Sequence, residues 1–267
     1  MAPRPRKQLR SDISWSDEDD SIFIRGRELN REILGHMTLS GVAWMHIVGT
    51  PPTPEQERMF DALLIALIEH GVTPTVVAAR MTLVGAPDSL QGAVAAGLLS
   101  VGSRAVGTME GAAQMLSEAL EANPVGADLD ALAAEVVRTR RAARALIPGI
   151  GHPIHDPDPR ATRLFELAAE NGFDGPHIDL IRRISAVATT EMERSMPVNV
   201  TGAIGAIACE MGFPWQVARG IALIGRTIGL VGHLLEEMRD PMAMEVMWRI
   251  NDEVNVPPKN EELPDGR

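Results

Sequence analysis

Three histidines of this 267-residue chain stand next to a glycine at the predicted ends of elements, in the pairs Gly35-His36, His70-Gly71 and Gly151-His152. Glycine is typical of turns and helix ends, and side chains that bind or react with a ligand commonly lie at such ends of a rigid scaffold. Because an imidazole gains or loses a proton near neutral pH, a histidine there can transfer a proton or bind an anion. A histidine taken singly is more often structural, so the three positions are candidates for a site.

The spacing of the histidines does not indicate a metal centre. His152 and His155, with Asp156 and Asp158 close by, lie in a segment that three prolines interrupt, whereas ligands on one element need a regular spacing. A phosphate-binding glycine loop and the Gly-x-Ser-x-Gly turn of many hydrolases are absent from the sequence as well. The residues alone therefore predict no metal and, at most, an anion site built from histidine and arginine.

The elements that carry these residues are predicted to be helices. The chain has no tyrosine, only 3% aromatic residues, and much alanine, leucine, methionine and arginine, which favour helix over strand. About ten helices are expected, with polar loops that bring His70 and His152 together. Residues 11–26 are the exception and are predicted to form a short hairpin whose turn is the acidic run at 17–20.

Local signals place several helix ends near the histidines. Thr53-Pro54 is predicted to begin a helix with threonine as the N-cap, and this helix is predicted to end at His70-Gly71 with glycine as the C-cap. Asp158-Pro159 is predicted to begin another helix in the same way. The segment 147–152, which contains one proline and two glycines, is predicted to be an irregular loop.

Charge and cysteine content limit the partners. The 36 acidic and 25 basic residues give a formal charge of −11, which argues against a nucleic-acid surface. The single cysteine, Cys209, allows no disulfide within the chain and fits a reducing compartment, so a cytoplasmic protein is expected. The basic N-terminal residues precede no apolar stretch, and no run reaches about 18 apolar residues, so neither a signal peptide nor a membrane span is expected.

Six segments, in chain order, resemble the citrate synthase superfamily. They are Ser11–Ser14 with Ile24–Leu29, Ile68–Gly71, Gly97–Arg104, Pro148–His152 with Asp158–Ala161, Val198–Gly202 and Gly225–His233. The shortness of the chain makes the resemblance closest to the citryl-CoA lyase branch, which includes the citryl-CoA lyase module of ATP citrate lyase.

The resemblance implies a fold and a reaction. The fold would be all-α, a short form of the citrate synthase-like two-domain architecture, with a large domain at 1–105 plus 208–267 and a small domain at 106–207. The protein would form a homodimer or a higher homo-oligomer. The reaction would break or form the carbon–carbon bond between an acetyl-CoA unit and oxaloacetate or a related 2-oxo acid, with coenzyme A as part of the substrate or product.

The matching motifs also imply roles for single residues. The catalytic residues would be His152, which faces the hydroxyl or carbonyl oxygen, His70, which binds the substrate, and Thr201. The substrate carboxylates, which suit a planar guanidinium, would be bound by Arg160, Arg226 and Arg104. The backbone that approaches CoA would be that of Ile147, Gly149, Ile150 and Gly151.

Structural alternatives exist for two of the arginines. Arg160 can form an ion pair with Asp156 or Asp158, and Arg226 can form one with Glu236 or Glu237. In that case the arginines would stabilise the fold and would not bind a substrate.

Two departures from the family pattern leave the activity open. Ala105 stands in place of a histidine of the synthases, which the lyase branch also lacks. Thr201 stands where the family has its catalytic aspartate, and a threonine cannot exchange a proton at neutral pH. The alternative is therefore a catalytically degenerate homologue that binds a CoA ester or a polycarboxylate. Glu69 and Glu110 are the carboxylates that could replace the aspartate, although both suit surface or capping positions better.

Overall fold

The computed structural model describes residues 9–103, 106–123, 126, 128–152 and 155–255, so Arg104 and Ala105 lie outside the described residues. The described ranges begin with three strands, β1 (Ser14–Ser16), β2 (Ile22–Ile24) and β3 (Arg27–Glu28), and a π-helical turn at Leu29–Ile33. The α-helices of these ranges are α1 (Leu39–Val48), α2 (Pro54–Ile68), α3 (Pro74–Gly85), α4 (Leu90–Leu99), α5 (Thr108–Glu121), α6 (Leu129–Ala142), α7 (Pro159–Glu170), α8 (Pro176–Met192), α9 (Val200–Glu210), α10 (Ala218–Arg239) and α11 (Ala243–Val254). A 3-10 turn at Trp215–Val217 precedes α10. The predicted all-α class is confirmed.

The three strands form one antiparallel sheet in which β2 lies between β1 and β3. The Asp17 carboxylate accepts hydrogen bonds from the amides of Asp19 (3.0 Å) and Ser21 (2.9 Å). Aspartate commonly closes a turn in this way, by bonding to the backbone two residues further on. The hairpin and its acidic turn are therefore as predicted.

The predicted start of α2 is confirmed, and its predicted end is wrong. At the start, the Thr53 hydroxyl accepts from the Gln56 amide at 3.2 Å, and the Gln56 side chain accepts from the Thr53 amide at 2.8 Å. At the other end the helix stops at Ile68, before the predicted glycine cap. The carboxylate of the next residue, Glu69, accepts hydrogen bonds from the amides of His70 and Gly71, which would otherwise continue the helix. Gly71 then forms the turn with φ +73°.

The helices α5 and α11 differ in how much apolar surface they bury. The amphipathic helix α5 buries Met109, Ala113, Met115 and Leu116 in the larger core, whereas α11 buries only Ala243 and leaves Trp248 and Ile250 more than half exposed.

Helix α9 lies at the centre of the larger core. Every residue from Gly202 to Cys209 is buried, and the helix packs against α5, α7 and α8. The packing is close: a Cβ on Gly205 would lie 2.7 Å from the Met109 carbonyl oxygen. A smaller core joins α3, α4 and α10. The division into domains at 1–105 plus 208–267 and 106–207 stays a prediction.

In the described part of the chain, one helical stretch, Trp215–Arg239, is long and apolar enough to cross a membrane. Its inward side chains Ile221, Ala222 and Leu230 are fully buried against other helices of this chain. Core helices commonly have this composition, and the buried charge of Arg226 lies within the stretch.

Candidate active site

The end of α2 and the middle of α10 touch through glycines. A Cβ on Gly225 would lie 2.7 Å from the Leu64 carbonyl oxygen, and a Cβ on Gly229 would lie 2.0 Å from that of Ile68. Only glycine therefore lets the two helices approach this closely. The contact places Arg226, which lies between the two glycines, beside the turn that carries Glu69 and His70.

Arg226 is a buried cation, 4% exposed. Its Nε and Nη1 atoms have no hydrogen-bond partner among the residues that the structure describes. Burial lowers the pKa of its guanidinium, and the charge of Glu69 opposes this effect only in part. The alternative pairing with Glu236 or Glu237 is wrong, since both of those carboxylates bind Arg80 instead.

The loop at 147–152 is fixed to the first turn of α9. The Asn199 amide donates to the Gly149 carbonyl oxygen at 3.0 Å, the Gly151 amide donates to Pro197 at 2.7 Å, and the Asn199 side chain donates to the Gly151 carbonyl oxygen at 2.8 Å. Gly149 has φ +80°, and a Cβ on Gly202 would lie 2.3 Å from its carbonyl oxygen. These contacts place His152, at the end of the loop, near Thr201.

The four residues predicted to approach CoA all lie in this fixed loop. Ile147, Gly149 and Ile150 are buried, and Gly151 is half-buried with both backbone polar groups bonded to the protein. A role in CoA binding stays a prediction for this loop.

Asp158 connects α7 and α9. It is fully buried and accepts hydrogen bonds from the Val200 amide (2.9 Å) and from Arg160 through Nε (3.1 Å) and Nη2 (3.0 Å). Burial alone would raise the pKa of this carboxyl group, but the hydrogen bonds from Arg160 and Val200 outweigh it and lower the pKa. The alternative pairing of Arg160 with Asp158 is thus correct, although 27% of the Arg160 side chain remains exposed.

Four of the predicted site residues come together in one cleft. Burial lowers the pKa of His70, and the positive charges of Arg160, His152 and Arg226 lower it further. Burial is also the main cause of the lowered pKa of His152, which Asp158 partly opposes. Because charges act on a pKa in this way only over short distances, these groups share a site. Arg104 lies outside the described residues and is not placed.

His152 has a defined tautomer when it is neutral. Its Nδ1 accepts a hydrogen bond from the His155 amide at 2.9 Å, so the ring proton must be on Nε2. The imidazole is therefore arranged to donate a hydrogen bond through Nε2. For Nε2 to accept a hydrogen bond, the ring proton would have to move to Nδ1, but Nδ1 already accepts a hydrogen bond from the His155 amide.

The hydroxyl of Thr201 belongs to a chain of hydrogen bonds that the sequence did not reveal. The Thr108 hydroxyl donates to Thr201 Oγ1 at 2.9 Å, and Thr201 Oγ1 donates to Asn199 Oδ1 at 2.7 Å. Asn199 also accepts the amides of Thr201 and Gly202 and so caps α9. The only sequence feature that points to Thr108 is its position directly after Gly107, at the start of α5, a helix that is not predicted from the sequence.

Neither carboxylate considered as a replacement for the missing aspartate fills that role. Glu110 forms an ion pair with Arg219 on α10. Glu69 accepts the amides of His70 (2.8 Å) and Gly71 (2.6 Å). Glu69 is therefore a capping residue, as the sequence indicated, whereas Glu110 is a partly buried residue that pairs with a cation.

Residues 22–249 match the family model described as citrate synthase, C-terminal domain. ATP-citrate synthase subunit 1 of Sordaria macrospora is 28% identical over 201 residues, which are 68% of this chain and 28% of that protein. This chain thus spans less than a third of that relative.

Two solved structures resemble the whole fold. A citryl-CoA lyase from Hydrogenobacter thermophilus has a TM-score of 0.82 and 29% identity, with 98% of each chain covered. An ATP citrate lyase from Methanosaeta concilii in complex with (3S)-citryl-CoA has a TM-score of 0.72 and 24% identity, with 89% of this chain and 40% of that chain covered. The second likeness shows the fold alone.

Proposed function

This chain belongs to the citrate synthase family, and from that premise we propose that its cleft binds a CoA thioester of a polycarboxylate. The reaction proposed is the cleavage or formation of the bond between the acetyl-CoA unit and oxaloacetate or a related 2-oxo acid. The observation that carries the proposal is the buried guanidinium of Arg226, whose Nε and Nη1 atoms find no partner in the described part of the chain.

A buried charge without a partner is unfavourable, because burial removes its hydration and nothing replaces it. A carboxylate of a bound ligand would supply both the opposite charge and two hydrogen-bond acceptors. Arg226 has His70 and Arg160 beside it, so the cleft presents cationic or donating groups toward such a ligand. Arg160 contributes less charge, since Asp158 already neutralises it in part.

His152 would act on the oxygen at the reacting carbon. With the proton on Nε2, it donates a hydrogen bond that stabilises negative charge on the oxygen at the reacting carbon as the carbon–carbon bond forms or breaks. The chemistry of relatives supports this reading, since a citryl-CoA lyase shares the fold over 98% of this chain. A homodimer or higher homo-oligomer in the cytoplasm, with CoA as part of substrate or product and no resident metal, is proposed as well.

The test is turnover of (3S)-citryl-CoA by the purified protein, followed by the release of CoA and oxaloacetate. The expected result is cleavage by the wild type, a loss of at least about a hundredfold in His152→Ala, and wild-type activity in His46→Ala. His46 is a suitable control because its side chain is exposed on α1. Equal turnover by His152→Ala and wild type would contradict the role of His152, and inactivity of both would favour the second function below.

The second candidate function is binding of a CoA ester or polycarboxylate without turnover. The observation that favours it is Thr201, whose hydroxyl proton is already donated to Asn199 and which cannot return a proton to an enolate. In that case the wild type would bind citrate and CoA but release no product. Thr201→Asp would then cleave citryl-CoA, although the wild type does not. If the wild type cleaves citryl-CoA and Thr201→Asp does not, this second candidate is contradicted.

A further inference from the structure

His233 of α10 lies between two charged groups of other helices. Its Nδ1 is 2.8 Å from Nη2 of Arg80 on α3, and its Nε2 is 2.9 Å from Oε2 of Glu69 at the end of α2. Only 13% of the imidazole side chain is exposed. It borders a groove of 520 Å³ next to the cleft, where Glu69 and Gly229 also lie.

The partners determine where the proton of the neutral imidazole lies. A guanidinium group only donates hydrogen bonds, so His233 Nδ1 must accept from Arg80. The proton is then on Nε2, on the side of Glu69. The Nε2 and Oε2 atoms are in contact at 2.9 Å, but the N–H direction does not meet the geometry of a regular hydrogen bond.

Glu69 also stabilises the backbone turn that carries His70. Its Oε1 accepts the amides of His70 at 2.8 Å and of Gly71 at 2.6 Å. Burial acts to raise the pKa of Glu69, but hydrogen bonds from His233 and from the His70 amide outweigh it and lower the pKa. The carboxylate therefore stays ionised and has His233 on one oxygen and the turn on the other.

Arg80 anchors this arrangement in the interior. It is 2% exposed and donates through Nη1 to the buried Glu237 at 2.8 Å, and through Nη2 to Glu236 as well as to His233. Glu237 also accepts the Met242 and Ala243 amides at the start of α11. The far end of the chain of contacts is thus fixed by α3, α10 and α11 together.

We propose that His233 is a positioning residue, which accepts a hydrogen bond from Arg80, contacts the Glu69 carboxylate through Nε2 and thereby fixes the turn that carries His70. The effect on ligand binding rests on the function proposed above, but the effect on the turn does not. His233 contacts neither the proposed ligand nor a reacting atom, and it affects His70 only through Glu69.

Amide hydrogen exchange by NMR tests the positioning without any ligand. In His233→Leu, which removes both the acceptor and the donor, the amides of His70 and Gly71 should exchange about tenfold faster than in the wild type. His233→Gln keeps one acceptor and one donor on a planar group and should restore the protection to within about threefold. The amides of Thr201 and Gly202, which Asn199 caps, are the internal reference and should not change.

Two outcomes would overturn the proposal. One is unchanged exchange of the His70 and Gly71 amides in His233→Leu, and the other is equally faster exchange at Thr201 and Gly202, which would mean general destabilisation. The imidazole nitrogen shifts of the wild type at alkaline pH give a second check, since a proton found on Nδ1 would contradict the assigned contacts. Citrate affinity measured on the same variants then separates the two claims: faster exchange at His70 without any citrate binding by the wild type would refute the proposed ligand and leave the positioning intact.

Discussion

Arg80 and Arg226 are both buried arginines of this protein, and their surroundings differ. Arg80 is bound by Glu236, Glu237 and His233, as buried charges generally are. Arg226 has the charge of Glu69 nearby, yet its Nε and Nη1 atoms meet no acceptor within the described ranges. The first arginine holds helices together, and the second is the residue that the proposed function assigns to a ligand carboxylate.

Thr201 marks the clearest difference between this cleft and the family pattern. A carboxylate at this place could take and return a proton, whereas the Thr201 hydroxyl accepts from Thr108 and donates to Asn199. The residue therefore helps to order the first turn of α9. Thr201 is therefore the position that separates the two proposed functions, turnover and binding alone.

The histidines of the cleft should make folding stability depend on pH. The pKa values of His70 and His152 are lowered in the folded protein, below the value of 6.5 expected in the unfolded chain. As the pH falls through 6.5, the unfolded state binds protons that the folded state does not, so the free energy of unfolding decreases. The lowered pKa of Asp158 acts only below its ordinary value of 3.8 and does not contribute in this window.

The measurement is urea unfolding at pH 7.5 and pH 5.5. The wild type should be less stable at pH 5.5, and the double variant His70→Gln/His152→Gln should lose less stability between the two pH values. His46→Gln serves as the control, since its exposed side chain should leave the wild-type difference unchanged. An identical pH difference in the double variant and the wild type would refute the argument.

Among the elements, the contact between the loop at 147–152 and α9 determines the shape of the cleft. Gly149 and Gly202 meet backbone to backbone, and Asn199 bonds to both sides of the contact. No side chain fits between them. Two glycines in the sequence are thus explained by one close approach and not by flexibility.

Gly202→Ala should separate the loop from α9. Its Cβ would lie 2.3 Å from the Gly149 carbonyl oxygen, which is backbone and cannot rotate away, so a loss of about 1–3 kcal/mol in unfolding free energy is expected. The matched control is Gly220→Ala in α10, where a new Cβ meets no atom of the described residues within 4 Å. That variant should gain about 0.5–1 kcal/mol from helix propensity. Chemical denaturation measures both, and equal effects of the two substitutions would disprove the close contact.

The starts of the elements could be predicted from the sequence, because capping is local. Thr53 and Asp158 cap the helices that they were predicted to cap, since each bonds to amides within three residues of itself. The end of α2 was not predictable in the same way. It depends on the Glu69 carboxylate, which contacts His233, a residue distant in sequence.

The candidate cleft was predictable only through the family resemblance. Single histidines beside glycines indicated loops, but neither the approach of Arg226 to His70 nor the pairing of Arg160 with Asp158 follows from local patterns. Both depend on where α7 and α10 pack. Thr108 was missed for the same reason, because its partner Thr201 lies on α9.

On the scale of the whole molecule, the protein carries a formal charge of −11, yet the cleft gathers Arg160, Arg226 and two histidines. Arg160 is paired with Asp158, so Arg226 is the cation of this group that can attract an anionic ligand. This distribution fits a polycarboxylate or a CoA ester better than it fits a cationic ligand.

The exposed apolar side chains predict self-association. Leu235 and Met238 on α10 are 57% and 52% exposed, and Trp248 on α11 is 56% exposed. Analytical ultracentrifugation at micromolar concentration should give at least twice the chain mass of 28.8 kDa. Leu235→Glu should shift the protein toward monomer, whereas Leu39→Glu, at the exposed start of α1, should not. A wild-type monomer under these conditions would refute the expected oligomer.

The most direct test of the central claim, that Arg226 is a ligand-binding cation, is to measure citrate affinity and unfolding free energy in Arg226→Met. The account predicts that citrate binding weakens about 30- to 100-fold while stability stays the same or increases, because methionine keeps the buried volume and removes a desolvated charge. Arg239→Met, on an exposed part of the same helix, should change neither quantity. Unchanged citrate affinity in Arg226→Met, or affinity and stability lost together, would contradict the account.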